Sequence, residues 1–209
     1  MLKITITKDE ISKLDTETFP GKIYIIDSTA NAKKSIDFLS KQQLIGFDTE
    51  TRPSFKKGAV RPMALMQLST LNECFLFRIN KIGFPEMLMN FLENKNITKV
   101  GLSIKDDFGV LKRSSKDAHP SGFIELQTMA TQYGINDISL QKIYAILFDK
   151  RISKGQRLTN WEAQDLTPAQ CQYAALDAWA CLKIYKYLID GNFNPKTSKY
   201  LKEINDTTL

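Results

Sequence analysis

The stretch Leu44-Ile45-Gly46-Phe47-Asp48-Thr49-Glu50 constrains the fold more than any other part of the chain. Its apolar start requires a buried β-strand, and a strand sends residues i and i+2 to the same face. Asp48 and Glu50 therefore emerge together, about 6–7 Å apart along the strand, at the C-terminal end of a buried element. Two like charges in such a place are costly unless a cation neutralises them. Hard divalent ions such as Mg²⁺ prefer an oxygen-only site of this kind.

Further strands are predicted around this one. Lys22-Ile23-Tyr24-Ile25-Ile26 reads as a buried strand, followed by Ala64 to Ser69, Cys74 to Phe77 and a short strand around Lys99-Val100-Gly101. Pro53, Gly58, Pro62 and Asn72 supply the turns between them. Met1 to Thr5 also alternates like a strand. Helices are expected at Thr29 to Lys41, behind a Ser28/Thr29 cap, and near Phe84 to Leu92. More follow at about 104–113, 125–133, 139–147 and 168–190, the last opened by Thr167 and Pro168. Strands paired as a meander and then interleaved with helices predict an α/β fold, a mixed β-sheet flanked by α-helices. No repeat or linker divides the 209 residues. One domain is expected, with a core of about 22–190 and a polar tail, 191–209, loosely attached.

Composition narrows the chemistry. Hydrophobic residues make up 43% and charged residues 25%, enough for a sizeable core without a disulfide or structural metal. No apolar run approaches the ~20 residues that cross a bilayer, so no membrane association is expected. Cys74, Cys171 and Cys181 form no CxxC pair, and one must remain unpaired. A reduced, intracellular compartment follows, cytoplasm or nucleoid in a bacterium. The single histidine, His119, argues against a zinc hydrolase and a Ser-His-Asp enzyme. Neither a phosphate-binding Gly-x-x-x-x-Gly-Lys loop nor a Gly-x-Gly-x-x-Gly turn is present. The net charge of +6 is compatible with a polyanionic partner.

Two more acidic groups stand out. In Tyr173-Ala174-Ala175-Leu176-Asp177, positions i and i+4 place a phenol and a carboxylate on one helix face. Ala174, Ala175 and Ala178 are small enough to let that helix approach the sheet closely. In Ile104-Lys105-Asp106-Asp107-Phe108 the adjacent acids diverge by about 100°. Asp107 lies nearer the stripe of Ile104, Phe108 and Leu111, whereas Asp106 reads as a helix-start acid favoured by the macrodipole.

Asp-x-Glu at a strand end, Asp at a helix start and Tyr-x-x-x-Asp on the last long helix occur in that order. The set resembles the DEDDy branch of the DnaQ-like 3′→5′ exonucleases. Asp48 and Glu50 match its first motif, Asp107 its second, and Tyr173 with Asp177 its third. It is most similar to the nuclease domain of the Werner-syndrome type, and more distantly to ribonuclease D and polymerase proofreading domains. The similarity runs from about Ile45 to Leu188 and includes Ala64 to Leu68, Asn160-Trp161 and Leu166-Thr167. It implies an RNase H-like sheet and two divalent cations, Mg²⁺ or Mn²⁺, held by Asp48, Glu50, Asp107 and Asp177, with Tyr173 positioning the attacking water. It also implies a nucleic acid with a free 3′ end as substrate, DNA favoured and RNA the alternative. A non-catalytic nucleic-acid-binding module is the competing class.

Basic residues gather in Lys56-Lys57 with Arg61, Lys112-Arg113 with Lys116, and Lys150-Arg151 with Lys154 and Arg157. Lys154 and Arg157 are the expected phosphate contacts, with Thr49 beside them at the acidic pair. Phe55, Phe108 and Trp161 are the candidates for stacking on a base.

Overall fold

The computed structural model describes residues 2–53, 61–115 and 118–203. Phe55, Lys56, Lys57, Gly58 and Lys116 lie outside the described residues. From the N-terminus the elements are β1 (Leu2–Ile4), α1 (Lys8–Ser12), β2 (Asp15–Thr16), β3 (Lys22–Ile26), α2 (Thr29–Leu39) and β4 (Leu44–Thr51). Next come β5 (Met63–Ser69), β6 (Glu73–Phe77), α3 (Ile79–Ile82), α4 (Glu86–Glu93), β7 (Thr98–Gly101) and α5 (Ile104–Ser114). The remainder comprises β8 (Phe123–Glu125), α6 (Leu126–Gln132), α7 (Leu140–Phe148), β9 (Lys150–Arg151), α8 (Pro168–Ile189), a 3₁₀ turn at Pro195–Thr197 and β10 (Leu201–Glu203).

Six strands form the main sheet in the order β3-β6-β5-β4-β7-β8. β4, β5 and β6 make the antiparallel meander, while β3 runs parallel to β6, and β7 and β8 extend parallel to β4. The sheet is mixed and flanked by helices, as its sequence implies. Alternation along the strands divides the core in two. Ile45, Phe47, Met66, Leu68, Phe75 and Phe77 pack against the side of α2, α4 and α5. Leu65, Cys74 and Leu76 pack on the other side against α7 and α8. α8 opens with a capping box in which Thr167 accepts from the Gln170 N–H, and Pro168 supplies the preset φ of a first turn. Its buried Trp179, Ile184 and Leu188 each contribute about 1.5–3 kcal/mol of apolar burial.

Three expectations need correction. Lys22–Ile26 is a strand but not a buried one: it lies at the sheet edge, and Lys22, Tyr24 and Ile25 are exposed. Apolar content alone cannot separate an edge strand from a central one. The helix expected over 125–133 begins one residue later, because Phe123–Glu125 adds β8 beside β7.

The tail is not loosely attached up to residue 203. β10 pairs antiparallel with β1, Tyr200 is buried, and its hydroxyl donates to Asp149 at 2.6 Å. The N-terminal segment also joins the core through Ile4, Ile6, Ile11 and Phe19. β1 falls within the strand pattern of the N-terminal residues, but a three-residue strand such as β10 has too weak a pattern to be read before its partner is known. Among the described residues, no helix is long and apolar enough to cross a membrane.

Candidate active site

Gly46 sets the depth at which α8 meets the sheet. A Cβ at that position would lie 2.0 Å from the Ala178 carbonyl oxygen, so only glycine permits the approach. Gly46, Asp48 and Glu50 alternate onto the α8 side of β4, opposite Ile45 and Phe47. Asp177 faces them from α8. One carboxylate oxygen from each of Asp48, Glu50 and Asp177 can be chosen so that all three lie within 4.8 Å of one another. Tyr173 lies one helical turn upstream of Asp177 and lines the same cavity, which encloses about 440 Å³.

The intervening residue, Thr49, faces the other way, towards α5. Its hydroxyl donates to the Asp107 carboxylate. Asp107 therefore stands beside β4 but outside the group of three, while Asp106 is exposed. The start of α5 is fixed without a side-chain cap of its own. Ser103 adopts φ +62°, and the Glu125 carboxylate accepts from the Ser103 and Ile104 N–H groups at 3.0 and 2.9 Å. Gln127 ties this corner to the next loop, donating from Nε2 to Ser103 Oγ and the Ile138 carbonyl.

The carboxylates strain against one another. Burial, then the charges of Asp177, Asp107 and Glu50, push Asp48 well above the usual carboxylate range. Burial raises Glu50 to about 9, with help from Asp177 and Asp107 and opposition from Arg157. Burial also raises Asp107 and Asp177 to about 7. Hydrogen bonds from Thr49 and Tyr173 respectively hold them back, and Lys154 adds a further pull on Asp177. Neither Lys154 nor Arg157 reaches salt-bridge distance of these acids among the described residues. The donor set is all oxygen, becomes negatively charged only as its raised carboxyl groups ionise, and has no cationic side chain within salt-bridge distance among the described residues. It fits a hard divalent cation better than any internal partner.

Lys154 and Arg157 both line the cavity, on the loop between β9 and α8. That loop is held from behind by Arg78, whose guanidinium donates to the carbonyls of Ala163 and Gln164, and by Lys81 on Gln164 at 2.7 Å. Thr49 lines the cavity too, with its hydroxyl directed at Asp107.

The two stacking candidates among the described residues, Trp161 and Phe108, pack into the core instead. Trp161 is fully buried and packs 6.0 Å from the Tyr173 ring, which it supports. Phe108 meets Phe123 edge to face at 4.9 Å and belongs to the α2/α4/α5 side of the core. Nor are Lys150 and Arg151 free for phosphate: Lys150 pairs with Glu17, and Arg151 Nε donates to the Leu14 carbonyl. Composition marks an aromatic or a cation but not its neighbours.

Several cavity residues carry no motif signal, namely Ser103, Gln127, Ser139 and Gln141. Their contribution depends on loops brought together from α5, α6 and α7. Gly46 did carry a signal, since a glycine inside a strand pattern marks a close backbone approach.

A 3′-5′ exonuclease family model matches residues 23–190. The chain is 34% identical over 180 residues to the bifunctional 3′-5′ exonuclease/ATP-dependent helicase WRN of Mus musculus, covering 81% of this chain and 13% of that protein. It is 34% identical over 159 residues to a 3′-5′ exonuclease of Arabidopsis thaliana, covering 70% of this chain and 52% of that one. The chain thus spans only part of the length of these relatives. Among solved structures, the Aedes aegypti Nibbler EXO domain superposes with a TM-score of 0.75 at 19% identity, over 87% of this chain and 96% of that one. Escherichia coli RNase D gives 0.72 at 23% identity, over 80% and 44%. These two share the fold, an RNase H-like mixed sheet flanked by helices. The matched span holds β4, α5 and α8, the three elements that carry the carboxylates, and the chain belongs to the 3′-5′ exonuclease family.

Proposed function

We propose that this chain hydrolyses the terminal phosphodiester at the 3′ end of a nucleic-acid strand, DNA favoured, and releases 5′-mononucleotides. The observation that carries the reading is the convergence of Asp48, Glu50 and Asp177 within 4.8 Å on a cavity wall. Membership of the 3′-5′ exonuclease family supports reading that cavity as the place for the chemistry. DNA is preferred through the resemblance to the Werner-type domain. RNA is distinguished from it only by contacts at the sugar 2′-position.

Asp48, Glu50 and Asp177 would hold one Mg²⁺ or Mn²⁺, and Asp48 would share a second with Asp107, reached through water. The ions supply Lewis-acid activation and charge neutralisation at the scissile phosphate. The protein's own groups do the positioning. Tyr173 keeps its phenolic proton, because burial and the charges of Asp177, Glu50 and Asp48 push its pKa up. It is therefore a hydrogen-bond partner that aligns the attacking water, not a base. Glu50, on the facing strand, is its partner in holding that water. Lys154 and Arg157 hold the strand's phosphates against the cavity mouth.

Two outcomes follow. Tyr173→Phe slows turnover by about 10²-fold, the scale of a small misplacement of the nucleophile, and leaves Mn²⁺ affinity unchanged. Full activity in that variant would remove Tyr173 from the reaction. Substrate affinity falls with salt, and the double variant Lys154→Gln/Arg157→Gln flattens the log–log slope by about 0.7–0.9 for each phosphate no longer neutralised. A slope equal to wild type would take both residues out of the interface.

The deciding experiment uses 5′-labelled DNA and RNA oligonucleotides of one sequence, single-stranded and recessed, with Mg²⁺ or with chelator. Stepwise shortening from the 3′ end in Mg²⁺ alone is expected, faster on DNA. Equal digestion under chelator would end the metal-dependent reading, and binding without cleavage would leave a nucleic-acid-binding module.

A further inference from the structure

Gln67 lies at the centre of β5 and is fully buried. Neither its Oε1 nor its Nε2 has a hydrogen-bond partner among the described residues. Met66 and Leu68 on either side send their side chains to the α2/α4/α5 face, so Gln67 points to the α8 face. In the antiparallel register it stands directly opposite Asp48 on β4, with Leu76 of β6 on its other flank. Directly opposed residues hold their Cβ atoms about 4.5–5.5 Å apart. The carboxamide is thus the polar neighbour that β5 offers to the Asp48 carboxylate.

A buried polar group without a partner is costly, and an apolar residue of the same size avoids that cost. The other residues of β5 take the apolar option at Met63, Ala64, Leu65, Met66 and Leu68, and the buried Ser69 at its end has its hydroxyl bonded to the Thr70 carbonyl. A glutamine here needs a reason, and the acid across the strand supplies one. Glutamine is also the donor suited to the place. It is neutral, so it does not displace a cation as a lysine or arginine would, and it does not titrate.

We propose that Gln67 is a positioning residue for the reaction: once the divalent cations are bound and Asp48 is ionised, its Nε2–H, unpartnered among the described residues, turns to donate to the Asp48 carboxylate opposite it and fixes the direction in which Asp48 presents its oxygens to the cations. The inference rests on the reading of Asp48 as a metal ligand. Partners of this kind around metal ligands set affinity as well as rate.

The test compares wild type with Gln67→Met and Gln67→Leu, both close in volume to glutamine, and with Asp48→Asn as control. Three quantities are measured: Mn²⁺ affinity by calorimetry or by the paramagnetic resonance of free Mn²⁺, the melting temperature under chelator, and kcat and KM on a 5′-labelled strand. For both Gln67 variants, Mn²⁺ affinity falls about 10–100-fold and kcat falls with it, while KM stays within a factor of two. The melting temperature under chelator is equal to wild type or higher, because two unpaired polar atoms are gone. Wild-type Mn²⁺ affinity in either variant overturns the proposal. A lowered melting temperature in both variants assigns the amide to packing and overturns it too. Asp48→Asn abolishes Mn²⁺ binding if the underlying site is right. Retained binding in that control sinks the metal site itself, a failure separate from that of Gln67.

Discussion

Replacing Asp48 with asparagine lowers mononucleotide release by at least ~10³-fold, the upper range for losing a group that stabilises charge in the transition state. The expected loss is large because Asp48 is the one acid proposed to serve both cations. The same change has the opposite effect on the metal-free fold. Glu50 in the folded chain keeps its proton up to about 9, against an ordinary value of 4.5. Asp48 is raised for the same reasons, burial first and then its acidic neighbours. Between those pH values the folded protein holds more protons than the unfolded chain, so its stability falls as pH rises. Wild type under chelator therefore melts at a lower temperature at pH 9 than at pH 5, and Mg²⁺ restores most at the alkaline end. Asp48→Asn removes one of the repelling charges, which makes the slope shallower and removes the Mg²⁺ response. Melting curves at pH 5, 7 and 9, with Mg²⁺ or chelator, check this directly. Wild type that is steadier at pH 9 without metal, or an Asp48→Asn protein that still digests DNA in Mg²⁺, would contradict the account.

Gly46→Ala has the largest expected effect on stability. The added Cβ would sit 2.0 Å from the Ala178 carbonyl oxygen and 2.9 Å from its carbon, backbone atoms in the middle of a 22-residue helix. No side-chain rotation relieves that overlap, so α8 must move away from β4. Overpacking of a core costs about 1–3 kcal/mol, and a rigid backbone obstacle places this change at the upper end. A melting temperature lower by roughly 6–12 °C follows for a chain of this size. Displacement also carries Asp177 away from Asp48 and Glu50, and a shift of about 1 Å at a reacting centre costs about 10²-fold in rate. Scanning calorimetry and a single-turnover assay read the two losses separately. An alanine variant with wild-type melting and rate would show that the helix does not depend on this approach.

The acidic pair and the Tyr173–Asp177 turn are readable in one dimension because each is a local periodicity, two residues on a strand and four on a helix. Helix ends were also legible where capping chemistry marks them, as at Thr167-Pro168. What could not be read is everything decided across the sheet. Lys22–Ile26 has the composition of an interior strand, yet its place beside β6 alone leaves it at an edge. Trp161 and Phe108 are aromatic near the motifs, but the packing of α8 and β8 turns both into the core. Lys150 and Lys154 are similar in the sequence, and only Glu17, more than 130 residues away, separates a structural lysine from one at the cavity. Gln67 is plain as a polar residue in an apolar run. Its meaning appears only when the register brings Asp48 opposite it.

The antiparallel match of residues 2–4 with 201–203 has a consequence for how this fold can be attached to other polypeptide. Both ends of the described fold emerge from the same narrow ribbon, a few ångströms apart. A neighbouring module tethered upstream and one tethered downstream would thus hang from a common suspension point.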